Sequence, residues 1–141
     1  MKESTRLVAV LGLAFAAGCA ATPPADFPRT VHAGLDAEGV QRADIIAGNY
    51  YFRPERVIVQ ANVPVALFVR KEPGLVPHTF VLHAPEAGIA VDVPLETEPK
   101  TIRFTPKQAG EYMYYCDRSG LFGSHIEKGM MGVLEVVEQQ R

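Results

Sequence analysis

Residues 110–138 read GEYMYYCDRSGLFGSHIEKGMMGVLEVVE. Two β-type runs frame the stretch, Glu111 to Cys116 and Val133 to Glu138, and in the second Leu134 and Val136 stand at alternate positions on either side of Glu135, as on a strand with one buried face. The run between them has no helical period beyond a single turn, so it reads as a loop. Cys116, His125, Met130 and Met131 therefore gather at one end of a strand pair, with eight residues between the cysteine and the histidine and four between His125 and Met130.

Upstream the same texture continues. Short runs at Ile45–Tyr51, Arg56–Gln60, Val65–Arg70, His78–His83, Ala90–Val93 and Thr101–Thr105 are separated by Pro, Gly and Asn. Val57 with Val59 and Ile102 with Phe104 repeat the alternation, and the spacing of the runs suits a two-sheet packing. The expectation is an all-β protein, a Greek-key β-sandwich of about seven to eight strands spanning residues 44–141, with one helical turn near Pro85 to Gly88 or in the Ser119 to Lys128 loop. At 141 residues, 48% of them hydrophobic, the chain holds one core and no second domain.

The front of the chain has a different character. Lys2 and Arg6 precede an apolar stretch from Leu7 to Ala17 that is too short for a membrane-spanning helix, which needs about 20 residues. It reads as a signal peptide over residues 1–18. Ala16-Ala17-Gly18-Cys19 resembles a bacterial lipobox, which implies acylation of Cys19, a membrane-anchored lipoprotein and a periplasmic location; ordinary secretion is the alternative. Residues 19–43, with Pro23, Pro24, Pro28, Gly34 and Gly39, read as a flexible tether. The alternative is that part of the segment pairs as an edge strand. A net charge of −2 and the lack of a basic patch speak against a nucleic-acid partner.

Only two cysteines are present, and the first belongs to the leader. Cys116 is thus a lone thiol in a chain bound for an oxidising compartment, where a thiol with no ligand role invites oxidation. Alone it reads as an inert small hydrophobe. His125 and a methionine nearby, and His78 opening an upstream strand, alter that reading. Two imidazoles and a thiolate with a weak thioether above are the donor set that suits copper in electron transfer. Met130 and Met131 compete for the thioether position, since neighbours on a strand face opposite ways. Glu127 or Glu111 supplying oxygen is a further arrangement. His83 points away from His78 and reads as solvated, His32 lies in the tether, and Met113, on the parity opposite Cys116, reads as core filling. For an enzyme, Cys116 and His125 lack an orienting acid at recognisable spacing, and no zinc-type Cys pair or phosphate-cradling loop is present.

On these residues the chain resembles the cupredoxins, the small blue copper proteins. Phe52-Arg53-Pro54 followed by an alternating strand, Pro77-His78-Thr79-Phe80, and Gly110-Glu111-Tyr112 leading to Tyr115-Cys116, His125 and Met130-Met131-Gly132 carry the resemblance. It implies one copper ion on His78, Cys116, His125 and Met130, with Met131 as the alternative axial ligand and Thr79 in support of the ligand loop. It also implies one-electron transfer with a redox partner protein. A copper-handling role, with a copper donor or acceptor as partner, is the second reading, and a metal-free binding module the third. The eight-residue gap departs from the two to four residues usual in the mononuclear members. The gap holds no second cysteine, so one ion is the limit. Leu121 and Phe122 within it either project as a docking patch or cover the metal.

Overall fold

The computed structural model describes residues 27–139. In chain order the strands are β1 (Thr30–His32), β2 (Gly34–Leu35), β3 (Gln41–Gly48), β4 (Tyr51–Arg53), β5 (Arg56–Gln60), β6 (Val65–Lys71), β7 (His78–Ala84), β8 (Ile89–Leu95), β9 (Lys100–Phe104), β10 (Gly110–Tyr115), β11 (Ser119–Gly120), β12 (Gly123–Ser124) and β13 (Met131–Val137). Six of them form one sheet in the order β1-β5-β13-β10-β7-β8, and four form the other in the order β2-β3-β6-β9, with β4 folded back onto β3. The expected sandwich is what forms, and the expected helical turn is a 3-10 turn at Pro85–Ala87 closed by Gly88, whose φ of 72° suits glycine.

Two boundaries differ from the sequence expectation. The segment 30–43 is not tether: β1 pairs with β5 in parallel, β2 pairs with β3, and β3 begins at Gln41. Gln41 is buried and reaches across the sandwich edge, its amide nitrogen donating to the Gln60 carbonyl while its side-chain oxygen accepts from the Gln60 N–H at 2.7 Å. These bonds replace the apolar period that marks the other strands, so the segment carries little hydrophobic signal. The run Ile45–Tyr51 is likewise not one strand but a hairpin, because the chain turns at Asn49 and Tyr50 and β4 returns along β3. The leader and Cys19 lie outside the described residues.

Inward-facing residues of both sheets make one core, and its centre is aromatic. Phe80 stacks on Tyr114 at 5.1 Å between ring centres, and Phe52 meets both rings edge-on at 5.8 and 5.5 Å. The Tyr114 hydroxyl donates to the Pro54 carbonyl at 2.7 Å, so a wholly buried phenol keeps a partner. Tyr114 lies directly opposite Gly132 in the β10–β13 register, and a Cβ at Gly132 would stand 2.3 Å from the ring. The glycine is there because the ring needs the space.

The register also fixes the outer face. Tyr112, Tyr114 and Cys116 point inward, so Met113 and Tyr115 point out; Met113 is 49% exposed and is not core filling. Cys116 itself occupies the buried parity, which leaves solvent to the other. Glu111 and Glu135 face each other across the strand pair, a repulsive pairing that Arg56 relieves by bonding both carboxylates.

Gly132→Ala must displace the Tyr114 ring or bend β13, and overpacking of this kind costs about 1–3 kcal/mol. We expect a lower urea midpoint at unchanged slope, whereas Gly120→Ala, where an added Cβ meets nothing within 4 Å, leaves the midpoint in place.

Candidate metal centre

Three elements from distant parts of the chain bring the donors together. His78 opens β7, Cys116 follows β10, and His125 closes the loop before β13; all three are buried. His78 Nδ1 and His125 Nδ1 lie 3.3 Å apart, Cys116 Sγ is 3.3 Å from His125 Nδ1 and 4.0 Å from His78 Nδ1. The point equidistant from these atoms is about 2.1 Å from each, within the about 2.0–2.3 Å that nitrogen and thiolate sulfur take to a late first-row metal ion. Among the described residues this is the one group of three such ligands.

Met130 joins them through the backbone. Its carbonyl accepts from the Cys116 N–H at 3.2 Å and its own N–H donates to the His125 carbonyl at 3.0 Å. Its side chain is wholly buried, while that of Met131 is 38% exposed on the outer face of β13. Of the two methionines, Met130 is the one on the interior side. Glu111 is engaged by Arg56, and Glu127 accepts from the Ser124 N–H on an exposed turn. Both carboxylates are thus bound elsewhere, which removes the oxygen-ligand arrangement. His83 is exposed, as is His32, which sits in β1 rather than a tether.

The eight-residue gap has a simple resolution. Ser119 pairs with Ser124 and Gly120 with Gly123, so residues 119–124 form a small hairpin with Leu121 and Phe122 at its tip. The His125 N–H donates to the Arg118 carbonyl at 2.8 Å and closes the hairpin at its base. The path from Cys116 to His125 around the donors therefore runs through Asp117 and Arg118 alone. Ser124 and Glu127 then bond each other's groups reciprocally, Ser124 N–H to Glu127 Oε2 and Glu127 N–H to Ser124 Oγ, and fix the turn that follows.

Thr79, the residue after His78 on β7, bonds both Cys116 and Asp117. Its backbone N–H donates to Cys116 Sγ at 3.3 Å, and its hydroxyl donates to Asp117 Oδ1 at 2.6 Å while accepting from the Asp117 N–H at 3.1 Å. These bonds stitch β7 to the start of the ligand loop. Two residues escaped the sequence reading. Asn49 Oδ1 lies 2.8 Å from His78 Nε2 and accepts its proton, which leaves Nδ1 with a free lone pair toward the centre. Tyr50 lays its ring 4.7 Å from that of His125, and Lys128 Nζ stands 4.1 Å above the Tyr50 ring. No motif announces either, because both sit in the β3–β4 turn that the sequence reads as continuous strand.

Electrostatics keep the imidazoles neutral. Burial, with His125 and Lys71 nearby, pushes the His78 pKa down to about 4. Burial also lowers that of His125, helped by Lys128 and Arg118. A neutral imidazole is the form with a lone pair for a metal.

The profile of the family described as "Cupredoxin-like domain" matches residues 7–133. The chain belongs to the cupredoxin-like family. Among solved structures it resembles the metal-binding domain of the Streptococcus pneumoniae D39 Cu(I)-exporting P-type ATPase CopA with Cu(I), at 27% identity and a TM-score of 0.58 over 77% of this chain and 96% of that one. Auracyanin B, at 21% identity and TM-score 0.53 over 68% and 88%, and auracyanin A of Chloroflexus aurantiacus, at 17% and 0.54 over 70% and 100%, share the fold. No curated protein matches the sequence.

Two outcomes test this geometry. Replacing residues 120–123 by a two-residue Asn-Gly turn leaves metal affinity within about threefold, since the Arg118–His125 closure and the Ser124–Glu127 bonds are kept; a dye-competition titration reads it. For the metal-free protein, unfolding frees His78 to bind a proton below its ordinary pKa of 6.5, whereas the folded state resists until about 4. The stability that burial of neutral His78 supports is thus present above about pH 6.5 and lost as pH falls toward 4. Urea midpoints across that window fall for the native sequence and fall less steeply for His78→Gln.

Proposed function

We propose that the protein binds one copper ion on His78, Cys116 and His125, with Met130 as the weak axial ligand, and works as an electron carrier rather than an enzyme. The observation that carries the reading is the triangle of two imidazole nitrogens and one sulfur whose centre lies at bonding distance from all three. Two nitrogens and a thiolate in a plane, with a thioether close by, suit copper better than the tetrahedral sets that zinc prefers. When bound, copper supplies one-electron chemistry between Cu(I) and Cu(II). The chain supplies rigidity: Asn49 holds His78, Thr79 holds the sulfur, and the backbone ties among Cys116, His125 and Met130 hold the loop, so the donors keep their places whichever charge they face.

The partner surface lies beside His125. Leu75, Leu121 and Phe122 are 102%, 98% and 87% exposed, and with Tyr50, Pro77 and Lys128 they line a groove of about 320 Å³ that has His125 in its wall. Large apolar side chains this exposed are a cost to a free monomer and a gain in a complex. Lys71, Arg118 and Lys128 act on the two imidazoles and make no carboxylate ion pair among the described residues. This favours a partner with an acidic rim around an apolar patch. We place the protein outside the cytoplasm, held to a membrane by acylated Cys19.

A second reading, transfer of copper itself, draws on the 27% identity to a domain of a Cu(I) exporter. One experiment separates the two. With one equivalent of Cu(II) the protein should show an intense visible thiolate charge-transfer band that Cys116→Ser abolishes, and Met130→Leu should change the reduction potential while Met131→Leu does not. No band, with tight Cu(I) binding in a chelator competition, would leave copper handling; failure to bind either oxidation state would remove the metal assignment.

A further inference from the structure

Among the described residues, Met113 and Met131 are the two methionines the proposed centre does not use, and the structure places them together. Both lie on the outer face of the six-stranded sheet, on the neighbouring strands β10 and β13. In the register Met113 faces Val133 and Met131 faces Tyr115, so the methionines are diagonal neighbours on one face. Cβ atoms in that relation are about 7 Å apart, which two flexible thioether side chains can close to share one ion. Both line a single groove of about 580 Å³ whose wall includes Tyr50, the residue that also packs on His125. A polar or β-branched residue would serve an exposed strand position at least as well, so packing gives no reason for sulfur at either site.

We propose that Met113 and Met131 form a second, weaker soft-metal site on the outside of the sheet, taking Cu(I) in exchangeable form. Two uncharged thioethers select a soft monovalent ion and, lacking thiolate charge, hold it less tightly than the inner donors. The arginines in the same groove do not repel it unscreened, because Glu55 bonds Arg29 and Arg53 while Glu111 and Glu135 bond Arg56. Met131 is joined by one peptide bond to Met130, so the outer site adjoins the inner one through the backbone. The inference rests on the copper reading only for the identity of the ion.

The probe is Ag(I), a spectroscopically quiet soft ion, followed on the methionine methyl resonances of the Cys116→Ser variant, in which the strong sulfur donor is gone. The methyl groups of Met113 and Met131 are expected to shift together and saturate near one equivalent. In the Met113→Leu/Met131→Leu double variant of the native protein, a Cu(I) chelator titration should lose the second, weaker equivalent and keep the first within about threefold. A shift at only one of the two methyls, a shift at neither, or survival of the second equivalent in the double variant would overturn the site. Failure of the inner-site reading has another signature, a first equivalent unaffected by Cys116→Ser, and the paired methyl shifts would still decide the outer site.

Discussion

Three backbone hydrogen bonds govern the metal-binding end of this molecule: His125 N–H to the Arg118 carbonyl, Met130 N–H to the His125 carbonyl, and Cys116 N–H to the Met130 carbonyl. Together they turn a loop of variable content into a closed frame that extends the β10–β13 pairing by one step past Tyr115 and Met131. Backbone groups buried at this end would otherwise go unpaired, at about 1–3 kcal/mol each. The frame is thus favoured by the fold before any ion arrives. Because the bonds involve main-chain atoms, they place no demand on what the hairpin tip contains, which is how residues 119–124 can differ in length from a shorter loop without moving Cys116 relative to His125.

The frame alone does not make a site; it needs a fixed partner from the other part of the sheet. His78 is held from behind by Asn49 and stands at the start of β7, whose next residue bonds both the sulfur and Asp117. Here the aromatic core matters at a distance. Phe80, two residues on from His78 and on the same face, is clamped between Phe52 and Tyr114, and Tyr114 is two residues before Cys116. One stacked pair therefore sets the relative height of the two ligand strands, and Gly132 admits the ring that does so. Packing density in such a core allows little drift, which is the condition for donor positions that do not depend on the charge between them.

How much of this the sequence shows depends on which physical signal each part leaves. Strands with one wet and one buried face announce themselves by alternation, and Val57, Val59, Leu134 and Val136 do so. Cys116, His125 and Met130 are legible because residue types with few other uses stand close together in the chain. The first strands of the sandwich leave no such mark. β1 and β2 are exposed edges, and the order of residues 30–43 comes from backbone pairing and from Gln41, a polar side chain doing what an apolar one usually does. Asn49 is invisible for a different cause: its role is set by a hairpin reversal at Gly48, where the Tyr51 ring folds over a position with no side chain. The eight-residue gap misleads because sequence distance counts residues, whereas the frame counts hydrogen-bonded steps.

Met113 shows how parity must be argued from the right reference. Alternation says only that neighbours face opposite ways; which way is inside needs one residue whose burial is known. Taking Cys116 as a ligand and treating the ligand side as distinct from the core inverts the face of β10. The structure places ligand and core on the same side, with Cys116 and Met130 part of one buried cluster with Leu134 and Tyr114. The same alternation sends Met130 inward and Met131 outward on β13. A sheet with a ligand at its inner edge thus carries the next residue's chemistry to its outer face, and in this chain that residue is a second methionine, across from Tyr115 and diagonal to Met113.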